Sequence, residues 1–288
     1  MANRNKWSVE RRRARVWILA LGLAAAGVSL TAQVPADEPV ERTDHNSQVA
    51  HQDLLKKKTQ GTIDVYFEGD SILRRWGATD YPELLANWQK TFHGWNAADF
   101  AWGGDTTQNI LWRLGAGGDD GELDGVNPSV IVLQAGTNNI GGRVPPGGQA
   151  GAEAKAEDVT RGLIRIVEVM REKAPGAAII VTGIFPRNDN LRVMPIIHQI
   201  NNNLKQWIAE QQSAGVRIQY LNINGQLAGA DDRLYPGMMN ARDKLHPELA
   251  GYQVWGDALV PLLTELLGPP ASEDHAPPPT GNPAAEGR

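Results

Sequence analysis

Between residues 61 and 267, short apolar runs alternate with segments of helical period, and that alternation leaves few folds open. The strand candidates are Thr62–Glu68, a weaker one at Asn96–Ala101, Val130–Ala135, Ala178–Ile184 and Arg217–Ile223. The helix candidates are Pro82–Thr91, Thr106–Leu114, Glu153–Lys173, Pro195–Gln212 and Pro247–Leu267. In the third of these, Val159, Leu163, Ile166, Val167 and Met170 recur every three to four residues, a stripe suited to packing on a sheet. Val130–Leu133 and Ile179–Val181 are apolar throughout, as strands buried on both faces are. The pattern predicts an α/β fold around a five-stranded, mostly parallel sheet with right-handed crossovers. In such sheets ligands gather at the carboxyl ends of the strands.

Composition removes several chemistries. The 288 residues include no cysteine, which excludes disulfides, cysteine nucleophiles, Cys-ligated zinc and iron–sulfur clusters. The net charge of −5 is unevenly spread. Residues 1–33 hold six basic side chains (Arg4, Lys6, Arg11, Arg12, Arg13, Arg15) and one acid, Glu10; 28 basic and 33 acidic residues in all leave 22 and 32 beyond, a net −10. An acidic body argues against a nucleic-acid partner. After the arginines comes the apolar run Val16–Leu30 and then Thr31-Ala32-Gln33, the layout of a secretory signal. Arg11-Arg12-Arg13 also admits a twin-arginine signal. Export to the periplasm or cell exterior is expected, with membrane attachment only if residues 1–33 persist as an anchor. Residues 34–60 read as a polar spacer, 61–268 as the folded domain, and the Pro- and Ala-rich 269–288 as a disordered tail.

The predicted strand ends carry the candidate chemistry. Of seven serines, only Ser71 follows a strand end, in Glu68-Gly69-Asp70-Ser71, where its hydroxyl can stand exposed and its N–H can face an oxyanion. Capping a helix is the commonplace role for a serine so placed. Of six histidines, His45, His51 and His275 fall in the polar ends, His93 in a loop and His198 in a helix. His246 follows Asp243 by three residues in a post-strand loop, where a carboxylate can orient an imidazole. Asn138, in Gly136-Thr137-Asn138-Asn139, offers an amide donor beyond the third strand, and Gly103 or Gly104 offers a backbone N–H beyond the second. Four loops would then bring nucleophile, donors and an acid–base pair to one sheet edge.

These blocks resemble the SGNH (GDSL-type) hydrolase superfamily over Ile63–Leu267. Gly69-Asp70-Ser71, Gly104, Gly136-Thr137-Asn138 and Asp243-x-x-His246 match its four blocks in order. The stretch Gly103–Leu114 with Gly136–Asn139 is most similar to brain-type platelet-activating-factor acetylhydrolase catalytic subunits. Ile72 departs from the usual Leu, and Asn139 stands where many members have Asp. The resemblance implies a flavodoxin-like three-layer α/β/α sandwich, with Ser71 as nucleophile, His246 as base and Asp243 as its partner. It implies an oxyanion hole of Ser71 N–H, Gly104 N–H and the Asn138 side chain, which selects Gly104 over Gly103, and it implies no cofactor or metal. Asp70, Trp76, Trp102, Asn139 and Arg187 are further candidates to line the site.

The implied activity is hydrolysis of a short acyl ester, acetyl or another short group, whose other half is a polysaccharide, a lipid such as an acetylated phospholipid, or a small molecule. The glycine-rich insertion Ile140–Ala152 offers little apolar surface for a long chain. An α/β-hydrolase would need G-x-S-x-G, but Leu73 stands two after Ser71. Neither H-E-x-x-H nor G-x-x-x-x-G-K-[ST] occurs, and Gly117–Gly121 lacks EF-hand spacing. A non-catalytic sugar-binding module, suggested by nine tryptophans, would have no need of this constellation.

Overall fold

The computed structural model describes residues 34–288; the expected leader, 1–33, lies outside the described residues. In chain order the elements are α1 (His45–Lys57), β1 (Val65–Gly69), α2 (Ser71–Gly77), α3 (Pro82–Phe92), β2 (Ala97–Asp99), α4 (Thr107–Arg113) and β3 (Val130–Gln134). There follow α5 (Thr137–Ile140), α6 (Gly148–Lys173), β4 (Ala178–Thr182), α7 (Met194–Ser213), β5 (Ile218–Leu221), α8 (Asn224–Leu227) and α9 (Leu249–Leu267). All five expected strands form, a little shorter than predicted. They make one parallel sheet in the order β2-β1-β3-β4-β5.

Successive strand side chains point to opposite faces, and the core divides accordingly. Tyr66, Ile131, Leu133, Ile179 and Val181 join the cores of α4, α6 and α7 on one face. Val65, Phe67, Val130, Val132 and Ile180 pack with α2, α3 and α9 on the other. The sheet is therefore covered on both sides, as the apolar strands required. Every described residue of β1 to β4 is buried, whereas β5 is only half-buried beyond Ile218.

Both ends of the described chain depart from expectation. The segment read as a spacer contains α1, capped by Asp44 through the Ser47 N–H. Its inward residues are largely polar. Ser47 accepts from Trp102 Nε1 at 2.9 Å, His51 Nδ1 meets Glu122 at 2.6 Å, and Lys57 Nζ donates to Asp99 O at 2.7 Å. The tail expected to be disordered is extended and docked. Ala271 N donates to Gly94 O, Thr62 N to His275 O and Thr79 N to Thr280 O, and Arg288 pairs with Asp53 at 2.6 Å. No helix among the described residues is long and apolar enough to cross a membrane.

Candidate active site

β1 delivers Ser71 to the carboxyl edge of the sheet and α2 starts on it. Gly69 has no room for a side chain, since a Cβ there would lie 2.2 Å from Gln134 O on β3. Asp70 caps α2 by accepting from Ile72 N at 2.9 Å. That bond turns the Asp70 carboxylate inward and leaves Ser71 half-buried at the helix start. Burial pushes the Asp70 carboxyl up to about 7, the Asp105 carboxylate adding to the shift and the Ile72 N–H opposing it.

The last loop is folded around Asn240. Its Oδ1 accepts from Arg242 N and Asp243 N, its N–H donates to His246 O, and its carbonyl accepts from Lys244 N. Lys244 sits in the left-handed region, φ +53°, which tightens the turn between Asp243 and His246. Asp243 Oδ1 takes the N–H groups of Leu245 and His246 at 3.0 Å each, and Oδ2 faces His246 Nδ1 at 2.9 Å. Burial raises the Asp243 carboxyl, but these amides and the imidazole outweigh it, so its pKa falls below the ordinary value. Since the carboxylate can only accept, Nδ1 carries the hydrogen and Nε2 is left to accept. Nε2 lies 2.8 Å from Ser71 Oγ. Burial first, and Arg75 second, lower the His246 pKa against the pull of Asp243. The imidazole is thus mostly neutral at pH 7, with Nε2 free to accept a proton.

The other two loops meet beside Ser71. A Cβ at Gly103 would stand 3.9 Å from the Ser71 Cβ, and Gly104 takes the left-handed φ of +81° that side chains rarely adopt. Asn138 Nδ2 donates to Asp105 O at 2.8 Å, joining the second loop to the third and leaving one amide hydrogen for another acceptor. Beneath them Arg113 is buried among acids. It donates to Asp105 at 2.6 Å, Glu68 at 2.5 Å and Phe100 O at 2.7 Å, and also to Glu122. One guanidinium therefore ties the residue after Gly104 to the end of β1.

Ser71, Asp243, His246, Gly104 and Asn138 thus meet at the same edge of the sheet. The lining candidates do not open onto it. Trp76 has no exposed surface; it packs on Trp88, Phe92, Tyr252 and Trp255 with ring centroids 5.0–5.5 Å apart. Trp102 is buried, with Arg74 over its face and its N–H on Ser47. Asn139 turns back to accept from Thr107 N, so it fixes the start of α4. Arg187, also buried, donates to Thr137 O and Oγ1 at 3.2 and 3.0 Å and forks onto Asp189, which holds α5 in place. Asp70 is buried as described. Arg42, Arg75, Asp105, Arg113 and Asn240 bear on the site without having been singled out in the sequence. A basic residue one turn along α2 from Ser71 is the signal that would have found Arg75.

The sequence profile of the GDSL-like Lipase/Acylhydrolase family matches residues 67–254, well over half of the chain. The chain belongs to this family. Its members hydrolyse ester bonds, and this GDSL acylhydrolase is an ester-bond hydrolase. It is 30% identical over 204 residues to the rat platelet-activating factor acetylhydrolase IB subunit alpha2, covering 71% of this chain and 77% of that one. The bovine alpha1 subunit is 28% identical over 220 residues, with coverages of 76% and 83%. A solved GDSL-like lipase from Bacteroides thetaiotaomicron shares the fold at TM-score 0.52 and 16% identity, over 77% of this chain and 98% of that one.

Proposed function

We propose that this acylhydrolase removes a short acyl group, acetyl above all, through an acyl-enzyme on Ser71. The observation that carries this reading is the unbroken relay from Asp243 through His246 to Ser71, at 2.9 and 2.8 Å. His246 Nε2 takes the hydroxyl proton as Ser71 Oγ attacks the ester carbonyl. The negative oxygen is met by the N–H groups of Ser71 and Gly104 and the free amide hydrogen of Asn138. Collapse returns the proton from His246 to the departing alcohol. Water, activated by the same imidazole, then frees the acid.

The short acyl group has two supports. The insertion after Ile140 forms glycine turns and then the start of α6, and its apolar side chains Val144 and Ala152 pack against the core rather than standing free to hold a long chain. The mammalian relatives are named as acetylhydrolases. An alkyl-acetyl phospholipid is the substrate their name suggests. A carbohydrate leaving group is the second reading, favoured by Tyr235. Tyr235 is 44% exposed and borders a groove of about 410 Å³ of mixed lining, in which Pro186 and Met194 stand beside His198, Asn202, Asn222 and Asp232. We also propose that residues 1–33 direct export.

A nitrophenyl ester series from acetate to decanoate, with Ser71→Ala as control, tests the chemistry. Preference for acetate and loss of turnover by at least 10³-fold, roughly, in Ser71→Ala are expected. Unchanged turnover in that variant overturns the nucleophile, and preference for decanoate overturns the short acyl group. Acetate release from acetylated xylan against an alkyl-acetyl phospholipid separates the two leaving groups. A mature N-terminus found near residue 34 in an exported fraction supports export; an intact chain confined to the cytoplasm refutes it.

A further inference from the structure

Residues 34–58 precede the segment matched by the family profile, yet they are bonded to the start of α4 and to the loop before it that carries Gly104. Thr107 Oγ1 donates to Ala36 O at 2.7 Å, Asn109 Nδ2 to Val40 O at 2.9 Å, and Val40 N to Gln108 O at 3.0 Å. Arg42 reaches furthest in. Its Nη1 donates to Gly103 O at 3.2 Å and to Asp105 Oδ1 at 2.8 Å, gripping the residues on both sides of Gly104. Asp44, itself the cap of α1, fixes the aim of the guanidinium through Nε at 2.9 Å.

The Gly103 carbonyl and the Gly104 N–H belong to one peptide plane. In a trans peptide they point in opposite directions, so a donor that pins the carbonyl also fixes where the N–H points. The cation on the oxygen polarises the same amide and makes its hydrogen a better donor. Asp105 is shared between Arg42 and Arg113, and its carbonyl holds the Asn138 amide. One side chain from outside the matched domain therefore bears on two of the three proposed oxyanion donors.

We propose that Arg42 is a positioning residue for the oxyanion hole, acting through the Gly103–Gly104 peptide and Asp105. The proposal rests on Gly104 and Asn138 serving as oxyanion donors. Because Arg42 is partly exposed, its loss leaves the fold standing while the Gly103–Gly104 peptide plane swings.

Arg42→Ala and Arg42→Lys, assayed with nitrophenyl acetate beside Ser71→Ala, test it. For Arg42→Ala, kcat should fall about 10- to 100-fold with KM within about two-fold, since the oxyanion exists only beyond the ground state. Affinity for a trifluoromethyl ketone, which presents a tetrahedral oxyanion, should fall by the same factor as kcat/KM. Millimolar guanidinium ion should restore part of the lost kcat, and Arg42→Lys, with one compact donor group in place of a fork, should lie between. A kcat unchanged in Arg42→Ala while Ser71→Ala is inactive overturns this proposal alone. So does a loss that follows the melting temperature and is not rescued by guanidinium. An active Ser71→Ala overturns the catalytic reading beneath it.

Discussion

Replacing Arg75 with Gln should move the acidic limb of the pH–rate profile upward. Arg75 Nη1 and His246 Nδ1 contact the same Asp243 oxygen, at 3.4 and 2.9 Å, so the two nitrogens are at most 6.3 Å apart. Arg75 is 27% exposed and Asp243 35%, so water screens the pair strongly. Between the effective dielectric of about 80 in water and about 20 near a protein surface, two unit charges about 6 Å apart interact by about 0.7 to 2.8 kcal/mol, equivalent to about 0.5 to 2 pH units, with the exposure favouring the lower end. The direction follows from charge. Arg75 holds the imidazole pKa down, second only to burial; without it the protonated ring is less costly and the pKa rises. Asp243, freed of its cation, pulls the same way. The wild-type limb in kcat/KM should therefore lie below the ordinary histidine value of 6.5 and that of Arg75→Gln above the wild type's. Profiles from pH 4 to 9 with nitrophenyl acetate at constant ionic strength give both numbers. The plateaus should agree within a few-fold, because no hydrogen bond joins Arg75 to Ser71. An acidic limb that stays still or moves down would refute the electrostatic account of the base.

Two further outcomes follow from buried groups. The Asp70 carboxyl, raised from 3.8 to about 7, binds its proton more tightly folded than unfolded, so it erodes stability as pH climbs between those values. Asp70→Asn keeps the cap but not the titration, and its urea-unfolding stability should gain on the wild type by up to about 4 kcal/mol from pH 4 to 7; parallel curves would contradict this. Trp76→Ala should cost about 3–5 kcal/mol by opening a cavity among Trp88, Phe92, Tyr252 and Trp255. A rise in KM with stability intact would instead mean that Trp76 meets substrate.

The sheet was legible because its strands are apolar on both faces, and Ser71, Asp243 and His246 because loops after strands can carry chemistry. What the sequence concealed was polar burial. α1 lacks a sustained apolar stripe since Ser47, His51 and Lys57 share its inward side with only Ala50 and Leu54, and each of the three is held by a partner distant in the chain. Hydrophobic periodicity cannot register such a face. The tail is fastened largely through backbone groups, to which composition is blind. Trp76 misled for a geometric reason. It is near Ser71 in sequence, but five residues of helix turn it about 140° away, into the core. Trp102, Asn139 and Arg187 sit at the right strand ends and point inward to build the loops.

The hydrogen bond between Ser71 and His246 joins residues 175 positions apart, and the one between Arg42 and Asp105 spans 63. Activity therefore has an order in time. A ribosome makes the proposed oxyanion loop and nucleophile early and the proposed base near the end, just before α9, the helix that packs over Trp76. A chain stopped short of residue 246 has a complete serine block but lacks the imidazole proposed to deprotonate it. On the proposed mechanism, fraying from the carboxyl end as far as His246 should abolish turnover while β1 to β5, which all precede it, still stand. The same non-local pairing slows folding, as it does in parallel sheets generally, so ester hydrolysis should be the last native property to appear on refolding.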